Sequence, residues 1–105
     1  MKISWCLGWI GILFVVAVLA CTTTAHPSEL IERNDHEGLA TWYGQEAVRL
    51  REKAEEMRQM VEMYAKPFYQ PAPKQSKEEL IAHCRLFIQY YTKAADEAEA
   101  LAKLH

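Results

Sequence analysis

The apolar and small residues between His36 and Tyr64 fall in alternating steps of four and three: His36, Ala40, Tyr43, Ala47, Leu50, Ala54, Met57, Val61 and Tyr64. On a helix this heptad-type pattern gathers into one stripe, leaving the Glu, Arg and Lys residues between them for solvent. A second run with the same alternation follows in Leu80, Cys84, Phe87, Tyr91, Ala94, Ala98, Leu101 and His105. Between the runs lie Pro67, Pro71 and Pro73, and proline ends a helix because it lacks the amide proton and crowds the preceding turn. The pattern predicts an all-α chain. Its form is an antiparallel two-helix hairpin, coiled-coil-like, with helices over about 35–65 and 77–104 and a proline-rich loop over 66–75.

A single antiparallel register satisfies both runs. It sets Ala40 against Leu101, Tyr43 against Ala98, Ala47 against Ala94, Leu50 against Tyr91, Ala54 against Phe87, Met57 against Cys84 and Val61 against Leu80. Most of these pairs oppose a large residue to a small one, as interdigitated packing requires. Asn34 followed by Glu37 has capping-box spacing and predicts the first helix start, while Glu29 to Glu32 can extend it by a turn; Ser76 followed by Glu79 starts the second. Gly38 and Gly44 each weaken the first helix by about 1 kcal/mol relative to alanine. Phe68 and Tyr69 are expected to cap the loop end. Ile81, Ile88, Ala95 and Ala102 form a further stripe beside the second seam, more than two helices can cover. A core this small gains from association. The stripe therefore predicts a homodimer, with two hairpins forming a four-helix bundle, and docking on an envelope partner protein is the rival.

The amino terminus sets an address. Lys2 is the only charge before Glu29, Ile3 to Ala20 is an uncharged and mostly apolar run, and it ends in Val18-Leu19-Ala20-Cys21. A charged start, an apolar segment and a small residue before the cut are the parts of an export signal. The final four residues resemble the lipobox of small bacterial lipoproteins, in which Val18 and Leu19 replace the commoner Leu and small residue. The resemblance implies cleavage before Cys21 and lipidation of that cysteine. The chain then divides into a signal peptide at 1–20, an acylated cysteine and tether at 21–33, and the hairpin at 34–105. Thr22, rather than Asp, implies the periplasmic face of the outer membrane. Multiple acyl chains hold a protein to a bilayer firmly. Cleavage after Thr23-Thr24-Ala25 and an uncleaved membrane helix, at the lower edge of spanning length, are the competing readings. Beyond the signal the mature chain also resembles small envelope lipoproteins built as single helical hairpins, through Cys21, Asp35-His36, His83-Cys84 and the alanine-rich end at His105.

Charge adds little: 12 Lys and Arg stand against 14 Asp and Glu, with none of the basic striping that a nucleic-acid partner requires. Candidate chemistry is confined to the two ends of the hairpin. Near the loop the register brings Met57 to Cys84 and Met60 to His83. Thioethers, a thiol and an imidazole form a donor set suited to Cu(I) or Zn(II), and Met57, Met60 and Met63 resemble the methionine motifs of copper-handling proteins. The plainer reading is core packing by Met57 and Cys84. Cys84, alone once Cys6 is removed and Cys21 acylated, is expected buried on the seam, with an intermolecular disulfide as the alternative. At the open end His36 meets His105, a second metal pair or two exposed ends. Glu46 faces Glu97 on the flank, with Lys53 close enough to neutralise Glu46. Neither a Ser/His/Asp arrangement, a glycine-rich phosphate loop nor a CxxC occurs. The function expected is non-enzymatic protein interaction without a cofactor; the alternative is periplasmic binding of Cu or Zn.

Overall fold

In the computed structural model, residues 25–105 are described, and they form three helices. The short α1 spans Pro27–Glu32, α2 spans His36–Ala65 and α3 spans Lys77–Leu104. The long pair packs along its length as an antiparallel hairpin, since the first residue of α2, His36, touches His105 just beyond α3. The segment read as an export signal, with Cys6, and the expected lipidation site Cys21 lie outside the described residues.

The start of the hairpin differs from the sequence expectation. The segment Glu29 to Glu32 does not extend the first helix but belongs to α1. Pro27 sits in its first turn, where a missing amide proton costs nothing. The helix ends in a Schellman motif: Asn34 takes a left-handed φ of 52° and donates to the Ile31 carbonyl at 3.0 Å, while Asp35 donates to that of Leu30 at 2.9 Å. Asn34 is thus consumed by closing α1 and is not the cap of α2. Asp35 takes that role, its carboxylate accepting from the Gly38 amide at 2.8 Å. Leu30 is buried where α1 rests on α2. Gly38 makes that approach possible, because a Cβ there would lie 2.9 Å from Leu30 Cδ2 and 2.6 Å from Asp35 Oδ2. Gly44 has open space around it.

The loop end follows expectation closely. Lys66, restricted by Pro67, leaves the helix for extended backbone at ψ 144°. Its carbonyl accepts from the Tyr69 amide at 3.2 Å and from Lys77 Nζ at 2.6 Å. Ala72 to Gln75 form a turn closed by a 3.0 Å hydrogen bond, with Pro73 second and Lys74 third at φ 71°. Tyr69 folds back on Tyr64, ring centroids 4.9 Å apart, whereas Phe68 is exposed and caps nothing. Ser76 and Glu79 form the expected reciprocal capping box.

The face that α3 turns inward is the main correction. Cys84 and Ala98 are buried as predicted, but Ala95 is fully enclosed, and Ile81, Ile88 and Ala102 are half-buried. Phe87 is 49% exposed, Leu101 37%, and Ala94 is exposed too. The inward face is shifted by about 50°, half the angle between adjacent residues, so Cys84 and Ala98 stay on the seam while the stripe expected outside lies within the hairpin. Packing explains the choice. Ala47 and Ala54 on α2 are buried to 2%, and such close helix approach demands small residues on both sides. Ala95 and Ala98 supply them, while Phe87 and Leu101 on the seam would hold the helices apart.

Candidate functional site

At the open end, the Asp35 cap fixes the first turn of α2 and with it His36. His105 Nδ1 lies 3.2 Å from His36 Nδ1, ring centroids 5.5 Å apart. Two neutral imidazoles in this position share one proton, one Nδ1–H donating to the other nitrogen. Tyr43 stacks nearly parallel on His105 at 5.8 Å and is itself met edge-on by Trp42 at 5.0 Å. Tyr43 was expected opposite Ala98. Helical side chains lean toward the amino terminus of their own helix, and for α2 that direction leads to His105. This lean is what a reading by sequence spacing missed. Beside this end, between α1 and α2, opens a groove of about 380 Å³ lined by Leu30, Trp42, Asp35, Glu37, Thr41 and Gln45 among others. Its described lining carries no histidine, cysteine or serine.

At the loop end the four sulfur and nitrogen candidates are spread over different surfaces. Cys84 is a buried free thiol on the seam and Met57 is half-buried, while Met60 and His83 are exposed. Adjacent helix residues point about 100° apart, so the burial of Cys84 turns His83 outward. Among the described residues no three His, Cys, Asp or Glu side chains gather as a metal-binding group.

The electrostatics lie mostly within helices. Glu46 pairs with Arg49 rather than with Lys53 or across to Glu97, and Lys53 instead binds Glu56 at 3.3 Å. The Arg49 hydrogen bond holds the Glu46 carboxyl below its ordinary value, with partial desolvation opposing and the Arg49 charge adding to it. Between helices, Arg51 bridges Glu99 at 3.0 Å and Asp96 at 3.1 Å. Hydrogen bonds to Glu99 and then Asp96 raise the Arg51 pKa further.

Among the described residues, an uncommitted apolar surface runs along the outer side of α3. Phe87, Tyr90, Ala94, Leu101 and Leu104 recur at helical spacing and are all exposed, Tyr90 at 64% and Leu104 at 80%. Glu97 is the one charge within the stripe. Tyr90 and Leu104 did not figure in the predicted seam, although their spacing from Phe87 and Leu101 was visible in the sequence. No described helix is long and apolar enough to cross a membrane. No known protein family, no curated protein and no solved structure matches this chain.

Proposed function

We propose that this protein is a lipid-anchored envelope protein that works by protein contact rather than catalysis, with the outer face of α3 as its docking surface. The observation carrying this reading is the unpartnered stripe Phe87, Tyr90, Leu101 and Leu104, since exposed contiguous apolar surface marks an interaction site. The occupant is a second copy of the same face, giving a four-helix bundle about a two-fold axis. A two-fold interface needs only self-complementarity, and an apolar stripe interrupted by one charge meets that requirement. The need for association is internal. Among the described residues the enclosed core is mostly alanine, with Leu30 and Leu39 its only buried leucines, and small cores are commonly completed by oligomerisation. Lipidation of Cys21 and the periplasmic face of the outer membrane complete the proposal, on the strength of the lipobox resemblance.

Sedimentation of the full-length chain in detergent tests the docking face. A concentration-dependent dimer is expected, and Phe87→Glu with Leu101→Glu should render it monomeric with unchanged helix content. A parent chain that stays monomeric up to high micromolar concentration would end the dimer proposal. Incorporation of labelled palmitate, lost in Cys21→Ser, tests the anchor separately.

A further inference from the structure

The histidine pair at the open end has a geometry that the docking reading does not use. We propose that His36 and His105 form a two-histidine site for a first-row divalent cation such as Zn(II) or Cu(II), which clasps the two ends of the hairpin together. Metal–imidazole bonds of about 2.0–2.1 Å place two nitrogens on one ion roughly 2.9–3.4 Å apart, from right-angle to tetrahedral geometry. The two Nδ1 atoms already stand 3.2 Å apart. An ion seated between them would take one lone pair from each ring. In the metal-free pair one of these nitrogens must carry the shared proton; an ion uses both lone pairs at once.

The donors are partly positioned in advance. His105 lies beyond the helical span of α3, where a free side chain would sample many rotamers, but Tyr43 covers one face of its ring and Trp42 braces Tyr43. His36 is the first residue of a helix whose start is fixed by Asp35. Both imidazoles are exposed, so water completes the coordination. The site is therefore open, unlike the closed four-ligand shells of structural zinc. Neutral imidazole suits Zn(II), Cu(II) and Ni(II), whereas a hard ion such as Mg(II) prefers oxygen. An ion held by both residues joins positions 36 and 105, and because it binds the folded hairpin it raises thermal stability by mass action.

Thermal melts of the full-length chain in detergent, with Zn(II), Cu(II) or Mg(II), test the site. With Zn(II) or Cu(II) at a hundredfold excess over the dissociation constant, a rise in Tm on the order of 10 °C is expected, and none with Mg(II). His36→Ala and His105→Ala should each abolish the rise, whereas His83→Ala and Cys84→Ala retain it. Both open-end histidines are exposed, so circular dichroism should show these variants folded. Electron paramagnetic resonance of the Cu(II) form should report two nitrogen donors in the parent and fewer in each open-end variant. No rise in Tm, or a rise that survives either open-end substitution, would overturn the assignment.

Discussion

Two glycines in the same helix are predicted to respond differently to the same substitution. Replacing a helical glycine by alanine gains about 1 kcal/mol, mainly from backbone entropy. At Gly44 a new Cβ meets nothing within 4 Å, so Gly44→Ala should deliver the full gain and raise Tm by roughly 4–8 °C. At Gly38 the same Cβ would lie 2.6 Å from Asp35 Oδ2, 2.8 Å from Asp35 Cγ and 2.9 Å from Leu30 Cδ2. Accommodating it requires surrendering the Asp35 cap, about 1 kcal/mol, or lifting Leu30 out of its buried seat, about 1.5–3 kcal/mol. Set against the entropy gain, Gly38→Ala should range from neutral to destabilising by about 2 kcal/mol. Urea or thermal unfolding followed by circular dichroism measures both variants. A Leu30→Ala background supplies the control: with Cδ2 gone, the penalty at Gly38 should shrink while the gain at Gly44 is unchanged, a coupling that a double-mutant cycle isolates. If Gly38→Ala stabilised as much as Gly44→Ala, α1 could not be docked on α2 as described.

Further expectations follow from the seam, the loop and the surface charges. Ala95→Leu should overpack the helix interface and cost about 1–3 kcal/mol, while Ala94→Leu, one residue away but exposed, should leave unfolding of the monomer nearly unchanged; equal effects would place α3 in the wrong rotation. Lys74→Gly should stabilise by about 1 kcal/mol, because a non-glycine residue bears a cost at φ 71° in this turn, and a urea midpoint that falls would refute it. Glu46→Gln should be the less stable partner at neutral pH. Because Arg49 depresses the folded-state pKa of Glu46, the parent's advantage is complete above the ordinary glutamate range and disappears as pH falls through the folded value. Unfolding curves at pH 7 and pH 3 should show the difference closing, and a gap that widens in acid would contradict the pairing. Native Cys84 should resist a thiol reagent until urea exposes it, since it is buried on the seam.

The parts of the fold legible in the sequence are those set by local chemistry. The three prolines of the loop, the Ser76/Glu79 box and the limits of α3 each follow from one or two residues whose preferences have no competitor nearby. The meeting of His36 with His105 was legible for a different reason: one antiparallel register satisfied the whole length of both helices. The start of α2 was harder. Asn34 and Asp35 are both good cap residues, and the choice depends on α1, whose Schellman closure takes Asn34 into a left-handed conformation. Gly38 is the residue that lets α1 come close, but in the sequence it reads no differently from Gly44, which has open space around it.

The rotation of α3 was not legible, because the pattern is degenerate there. Cys84, Tyr91, Ala98 and His105 belong to both possible inward faces, and the flanks offer Leu80, Phe87, Ala94 and Leu101 against Ile81, Ile88, Ala95 and Ala102. Both sets are apolar, and each contains alanine, so hydrophobicity alone cannot choose. Helix separation decides, and it depends on how closely Ala47 and Ala54 can approach across the seam. The functional consequence is direct. The Ile81 and Ile88 stripe expected to bind a second hairpin is used within the first, and the docking surface proposed in its place carries Phe87, Tyr90, Leu101 and Leu104. An interaction mapped by substitutions at Ile88 would therefore report loss of folding, whereas the same substitutions at Phe87 would report loss of binding by a folded hairpin. Ala94 and Ala95 separate these outcomes with a small perturbation: a leucine at Ala95 should act on unfolding of the isolated chain, and one at Ala94 on the proposed association.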